Sequence, residues 1–177
     1  MPFVKLLYEG IKFTWFPFSY NKEELFRGAL LSSNEIQLIK KYLNEKEIEK
    51  DFPKVICISK AFLSFSKKRI IAEGLLNEYK GKQNENLKLV FFILKNENNE
   101  MQDPVFSTYI NIQNFSYYKH EEEVLFLPFS TFKIINIKES LFYNANIYEI
   151  NLSYLGIFEK YLQNINVEEK NTKFVIL

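Results

Sequence analysis

Three short stretches of this chain hold polar groups inside otherwise apolar runs. In Leu25-Phe26-Arg27-Gly28 an arginine sits within what reads as a buried strand. A guanidinium there is costly unless its charge is met. Its planar fork suits a phosphate bidentately, and a structural carboxylate would meet it as well; the run leaves both partners open. Gly28, lacking a side chain, would let a ligand approach the backbone closely. In Phe62-Leu63-Ser64-Phe65-Ser66-Lys67, extended backbone would set Ser64 and Ser66 on one face. Two hydroxyls there can orient a ribose or a carboxylate, or simply line a strand edge. No Gly-x-Ser-x-Gly elbow surrounds either serine, which argues against a serine hydrolase. In His120-Glu121-Glu122-Glu123-Val124-Leu125-Phe126, three acids run into an apolar strand. Glu121 and Glu123 would share a face if the strand begins there. Paired carboxylates suit glycosidic chemistry, one stabilising positive charge on a sugar and the other handling a proton. A solvated acidic turn is the other meaning of such a run. His120 is the single histidine, and one histidine makes no metal site.

Elements able to position these groups follow from periodicity. Leu25 to Leu30 reads as a strand. Ser32 with Glu35 has the form of a capping box and predicts a helix through about Leu43. Strands are expected at 55–58 and 61–66, and a helix at 67–79 from the spacing of Ile71, Leu75 and Leu76. After a polar loop at 80–86, strands are expected at 89–94, 105–112, 124–127 (ending at Pro128), 132–137 and 147–155. Upstream, 3–12 predicts a short amphipathic helix and 13–20 an aromatic loop or lid. Residues 45–51 form a charge run broken by Pro53, 96–104 a turn-rich connection, and the stretch from Asn164 a charged, then apolar, tail. Helices early and strands late make an α+β pattern rather than alternating βαβ units. The 177 residues suit one domain, 1–177, with 1–20 as an N-terminal helical segment and 158–177 as a C-terminal tail.

Bulk properties narrow the function. A net charge of +1, with lysine-rich stretches interrupted by acids, offers no basic face for nucleic acid. The 17% aromatic share suits a sheet-rich core. Cys57, the single cysteine, lies in Val55-Ile56-Cys57-Ile58 and reads as a buried, inert thiol. The N-terminus shows no basic start followed by an apolar run, and no apolar stretch reaches the roughly 18 residues of a membrane span. A cytoplasmic location without a membrane span is therefore expected.

Taken in order, arginine, Ser-x-Ser and Glu-x-Glu resemble the R-S-E triad of arginine-specific mono-ADP-ribosyltransferases, in their vertebrate ecto-enzyme and protist versions. Glu-Glu-Leu-Phe-Arg-Gly (23–28) is similar to that family's arginine strand. Ala-Phe-Leu-Ser-Phe-Ser-Lys-Lys-Arg-Ile-Ile-Ala (61–72) is similar to its serine strand and the helix behind it. Glu-Glu-Glu-Val-Leu-Phe-Leu-Pro-Phe-Ser-Thr-Phe-Lys-Ile (121–134) is similar to its glutamate strand, and Tyr148-Glu149-Ile150-Asn151-Leu152 to its closing strand. The resemblance covers residues 20–157.

That resemblance implies an α+β fold with two packed, mostly antiparallel sheets around an NAD cleft, preceded by N-terminal helices. It implies NAD as substrate, no metal, and transfer of a single ADP-ribose to arginine side chains of acceptor proteins with release of nicotinamide. Arg27 would hold the NAD phosphates and ribose, and the Gly28 backbone would pair with the nicotinamide amide. Ser64 would order the catalytic glutamate, and Ser66 would support the strand at the NAD site. Glu123 would be that catalytic glutamate, binding the nicotinamide ribose, and Glu121 would position the acceptor guanidinium. Secretion as an effector is compatible with such an activity. Two positions depart from the pattern: Phe65 stands where threonine is usual, and Leu75 where an aromatic often stands. The N-terminal helical part is also short. An NAD-binding pseudoenzyme and an NAD glycohydrolase are the alternatives. The poly-ADP-ribosylating class resembles a His-Tyr-Glu arrangement, for which no strand histidine exists here.

Overall fold

The computed structural model describes residues 24–44, 55–95, 109–113, 116–157 and 173–176. Among them the apolar runs form nine strands: β1 (Leu25–Ser32), β2 (Val55–Ile58), β3 (Leu63–Ser66), β4 (Leu87–Lys95), β5 (Tyr109–Asn111), β6 (Glu123–Phe126), β7 (Ser130–Phe142), β8 (Ala145–Ile157) and β9 (Lys173–Ile176). Two α-helices accompany them, α1 (Ser33–Asn44) and α2 (Arg69–Tyr79). The expected helix at 3–12, the 13–20 loop, the 45–51 charge run with Pro53 and the 96–104 connection lie outside the described residues.

Helix α1 begins where the sequence sets it. The Ser32 N–H donates to Glu35 Oε2 at 2.7 Å, and the Glu35 N–H donates to Ser32 Oγ at 3.2 Å. This reciprocal box satisfies donors that the first helical turn leaves open.

The strands follow the order β5-β6-β3-β1-β4-β8-β7-β2-β9. Only β4–β8 and β2–β9 run parallel; the other pairings are antiparallel. β4 explains itself: Val90, Phe92 and Leu94 enter one core cluster, while Leu89, Phe91 and Ile93 enter a second on the opposite face. A strand buried on both faces reads as a continuous apolar run. Helix α2 covers the second cluster through Ala72 and Leu76.

The ladder creases between β1 and β3. β1 pairs with β4 from Leu25 to Ser32, but with β3 only at Phe26 opposite Ser66. Beyond that pair the sheet folds over. Phe65 on β3 lies 6.1 Å from the ring of Phe132 on β7, and Phe126 on β6 lies 5.3 Å from Tyr154 on β8. These strands are far apart in the sheet order, so the contacts can only be made face to face. The expected two packed sheets are thus two layers of one ladder, joined at a single register pair. Phe65, Phe126 and Phe132 are each buried. Burial of such a side chain stabilises by about 1.5–3 kcal/mol, and edge-to-face pairs such as Phe65–Phe126 at 5.4 Å and 73° add about 0.5–1.5 kcal/mol.

Three features lie beyond the expected boundaries. β7 and β8 extend into a long hairpin closed by Tyr143-Asn144, with φ of 42° and 65°. Positive φ at both central residues makes this a type I′ turn, whose twist matches the strands it joins. The expected tail ends in β9, which pairs in parallel with β2 from Val55 to Ile58. Cys57 is fully buried with its thiol against the Phe132 carbonyl, and burial pushes its pKa far up, leaving an inert thiol. No described helix is long and apolar enough to cross a membrane.

Candidate active site

Arg27 lies on β1 one residue past the single pair that joins β1 to β3. It shares a strand face with Leu25, Ala29 and Leu31, which pack into the larger core. Where the ladder parts, the Arg27 Nη1 donates to the Ser64 carbonyl at 2.7 Å. Burial pushes the guanidinium pKa down, opposed by the Tyr79 phenol at the end of α2 and by the Glu123 carboxylate. Arginine stays charged despite such a shift. The result is a half-buried cation facing an acid, with one N–H engaged by Ser64 among the described residues. Guanidinium carries five donors, so the remaining ones suit the oxygens of a phosphate.

β3 pairs with β6 so that Ser66 opposes Glu123 and Ser64 opposes Leu125. Directly opposed residues share a face, and alternation adds the positions two away. Ser64, Ser66 and Glu123 therefore line one face of this layer, while Phe65 and Val124 point into the core. The Phe65 departure accordingly falls in the aromatic core, away from the serines. Leu75 is half-buried on α2. The Ser66 hydroxyl donates to the Glu121 carbonyl at 2.5 Å and accepts from the Lys68 N–H at 2.9 Å. Ser64 and Glu123 side chains make no hydrogen bond to each other.

Two sequence expectations need correction. Glu121 and Glu123 do not sit on one strand face. β6 starts at Glu123, Glu121 closes a 3-10 turn (Lys119–Glu121), and Glu122 between them is left-handed at φ 47°, ψ 51°. Strand alternation cannot reach back through that residue. Gly28 also has a different reason for being glycine. A Cβ there would lie 2.4 Å from the Ala72 carbonyl oxygen and 3.0 Å from the Leu76 nitrogen. The space left by the missing side chain is filled by the backbone of α2, not left for a ligand.

His120 is exposed in the turn before Glu121, as expected. Among the described residues, no group of three His, Cys, Asp or Glu is arranged to hold a metal ion. Two further residues bear on the site that sequence reasoning passed over. Tyr79, beside Arg27, carries no local sequence signal. Lys68 ion-pairs with Glu122 at 3.0 Å and is marked only by following the Ser-x-Ser. A hollow of about 690 Å³ at the end of α1, walled by Lys40, Leu43, Asn136 and Glu139, is lined by none of the candidate residues.

The sequence matches no protein-family model and no curated protein. Solved structures do resemble it. The ADP-ribosyltransferase Vis of Vibrio splendidus, in complex with M6 inhibitor, superposes with a TM-score of 0.56 at 21% identity, over 89% of this chain and 55% of Vis. Vis in complex with agmatine gives 0.52 at 20% identity, over 89% and 56%. The Clostridium limosum C3 exoenzyme gives 0.50 at 15% identity, over 86% and 67%. The chain thus spans little more than half the length of Vis. At these identities the likeness establishes architecture: an α+β chain with the ADP-ribosyltransferase fold.

Proposed function

We propose that this chain transfers a single ADP-ribose from NAD to the guanidinium of an arginine on an acceptor protein, releasing nicotinamide. The observation that supports the reading is that three distant stretches come together where β3 leaves β1: the Arg27 guanidinium bonds the Ser64 main-chain carbonyl and feels the charge of Glu123, and Glu123 lies across the ladder from Ser66. In this reading Arg27 binds the NAD phosphates. Its partial desolvation strengthens charge-assisted bonds to them. Anchoring there, far from the reacting carbon, helps hold the substrate bent over the site. Glu123 accepts a hydrogen bond from the nicotinamide ribose and offsets the positive charge that grows on the sugar as nicotinamide leaves. Ser64, on the same face, orients that carboxylate, and Ser66 supports the strand. Glu121 orients the acceptor guanidinium and takes up its proton.

The shared fold supports an NAD-derived donor. The complex of Vis with agmatine, a guanidine, supports a guanidine acceptor. With water as acceptor, the same residues would act as an NAD glycohydrolase. Incubation with labelled NAD and agmatine tests the reading. Label transfer and nicotinamide release are expected, and Glu123→Gln should lower both by about 100-fold or more with unfolding unchanged. Wild-type transfer rates in Glu123→Gln would refute the assignment. Glu121→Gln should lose transfer and keep hydrolysis. Calorimetric binding of NAD without any turnover would instead make the chain a pseudoenzyme.

A further inference from the structure

We infer that Ser66-Lys67-Lys68, the link from β3 to α2, is a clamp that sets the acceptor side of the site, with Lys68 as a positioning residue for transfer; this rests on the arginine-transfer reading above. Three consecutive carbonyls of the acidic turn are each held by one of three consecutive residues of the link. Lys68 Nζ donates to the His120 carbonyl at 2.9 Å, Ser66 Oγ to the Glu121 carbonyl at 2.5 Å, and the Lys67 N–H to the Glu122 carbonyl at 3.2 Å. Lys68 Nζ also ion-pairs with Glu122 Oε1 at 3.0 Å. An ammonium has three donors, so it serves both acceptors at once. The link is itself braced by the Lys68 N–H donating to Ser66 Oγ at 2.9 Å.

The turn needs outside support because Glu122 is left-handed at φ 47°, a conformation non-glycine residues hold only when their surroundings fix it. All of these bonds converge on residues 120–122, so they fix the direction in which Glu121 leaves the turn. Glu123 is held differently. It begins β6, faces Ser66 across the ladder, and its carbonyl accepts from the Ile112 N–H at 3.0 Å. Loosening Lys68 therefore disturbs the acceptor carboxylate and spares the one assigned to the ribose.

The experiment uses the full chain, NAD and agmatine, with acceptor-free NAD hydrolysis measured beside transfer. Lys68→Met keeps the bulk and removes both contacts. It should raise KM for agmatine and lower transfer kcat/KM by about 3- to 10-fold. NAD KM and acceptor-free hydrolysis should stay within about twofold, since nothing at Glu123 or Arg27 depends on Lys68. Lys68→Arg should restore most of the loss. Glu122→Gln, which cuts the ion pair from the other end, should shift the same ratio in the same direction by less. Unchanged transfer in Lys68→Met, or equal loss of transfer and hydrolysis, overturns the inference. A wild-type chain that neither labels agmatine nor hydrolyses NAD overturns the arginine-transfer reading, and this inference with it.

Discussion

Replacing Gly28 by alanine separates two reasons for a glycine beside Arg27. The added Cβ would stand 2.4 Å from the Ala72 carbonyl oxygen, 3.0 Å from the Leu76 nitrogen and 3.1 Å from Leu76 Cγ. Ordinary contact starts near about 3.5 Å, so α2 must retreat from β1 by roughly 1 Å. Two of the three obstructing atoms are backbone and cannot swing aside. Overpacking of this kind costs about 1–3 kcal/mol, and we place Gly28→Ala at the upper end. Alanine also restricts the unfolded chain, which returns about 0.4–1 kcal/mol. The net expectation is a loss of about 2 kcal/mol, or roughly 4–8 °C in Tm for a chain of this length. Urea unfolding followed by far-ultraviolet circular dichroism, without NAD, measures it; the midpoint should fall with little change in slope. An unchanged midpoint with weakened NAD binding would refute the packing argument and return the glycine to the ligand.

Other expected outcomes follow from the same geometry. Arg27→Lys replaces a planar fork by a point charge and should weaken NAD binding by about tenfold or more in calorimetry. Ser32→Ala removes the α1 capping box and should lower the urea-derived stability by about 1 kcal/mol, leaving NAD affinity unchanged. For Glu149, burial raises the carboxyl pKa, but the hydrogen bonds from Lys138 and Ser140 and the charges of Lys138 and Arg69 outweigh it, so the net shift is downward. A lowered folded pKa stabilises the protein above the unfolded value of about 4.3, and that stabilisation is lost as pH falls through the folded value. Glu149→Gln should therefore flatten the stability profile below about pH 4, read from unfolding midpoints across pH.

What the sequence made legible, it did through local patterns. The capping box at Ser32 and Glu35, the doubly buried run of β4 and the three polar stretches could all be read because neighbours in sequence decide them. Extensions of β7 and β8 were hidden by the polar run Lys138, Glu139 and Ser140, which alternates between the two faces of a partly exposed ribbon, and by a type I′ turn made without glycine. β9 was hidden because its four residues gain meaning only beside β2, more than a hundred positions away. At the site, residue types were readable and geometry was not. The separation of Glu121 from Glu123 depends on one left-handed residue, Glu122, whose side chain gives no hint of positive φ. The meaning of Gly28 depends on a helix that starts 41 positions later, at Arg69.

The crease between β1 and β3 has a mechanical consequence. Elsewhere neighbouring strands are locked in discrete steps, because a slip by one residue exchanges every side chain between faces. Across the crease only Phe26 and Ser66 form such a ladder pair, and the remaining grip comes from the Arg27–Ser64 bond, from α2 and from the face-to-face rings. A shift between the two leaves would thus break one ladder pair, where a shift between β1 and β4 would break eight, so the crease is the line along which the sheet resists relative movement least.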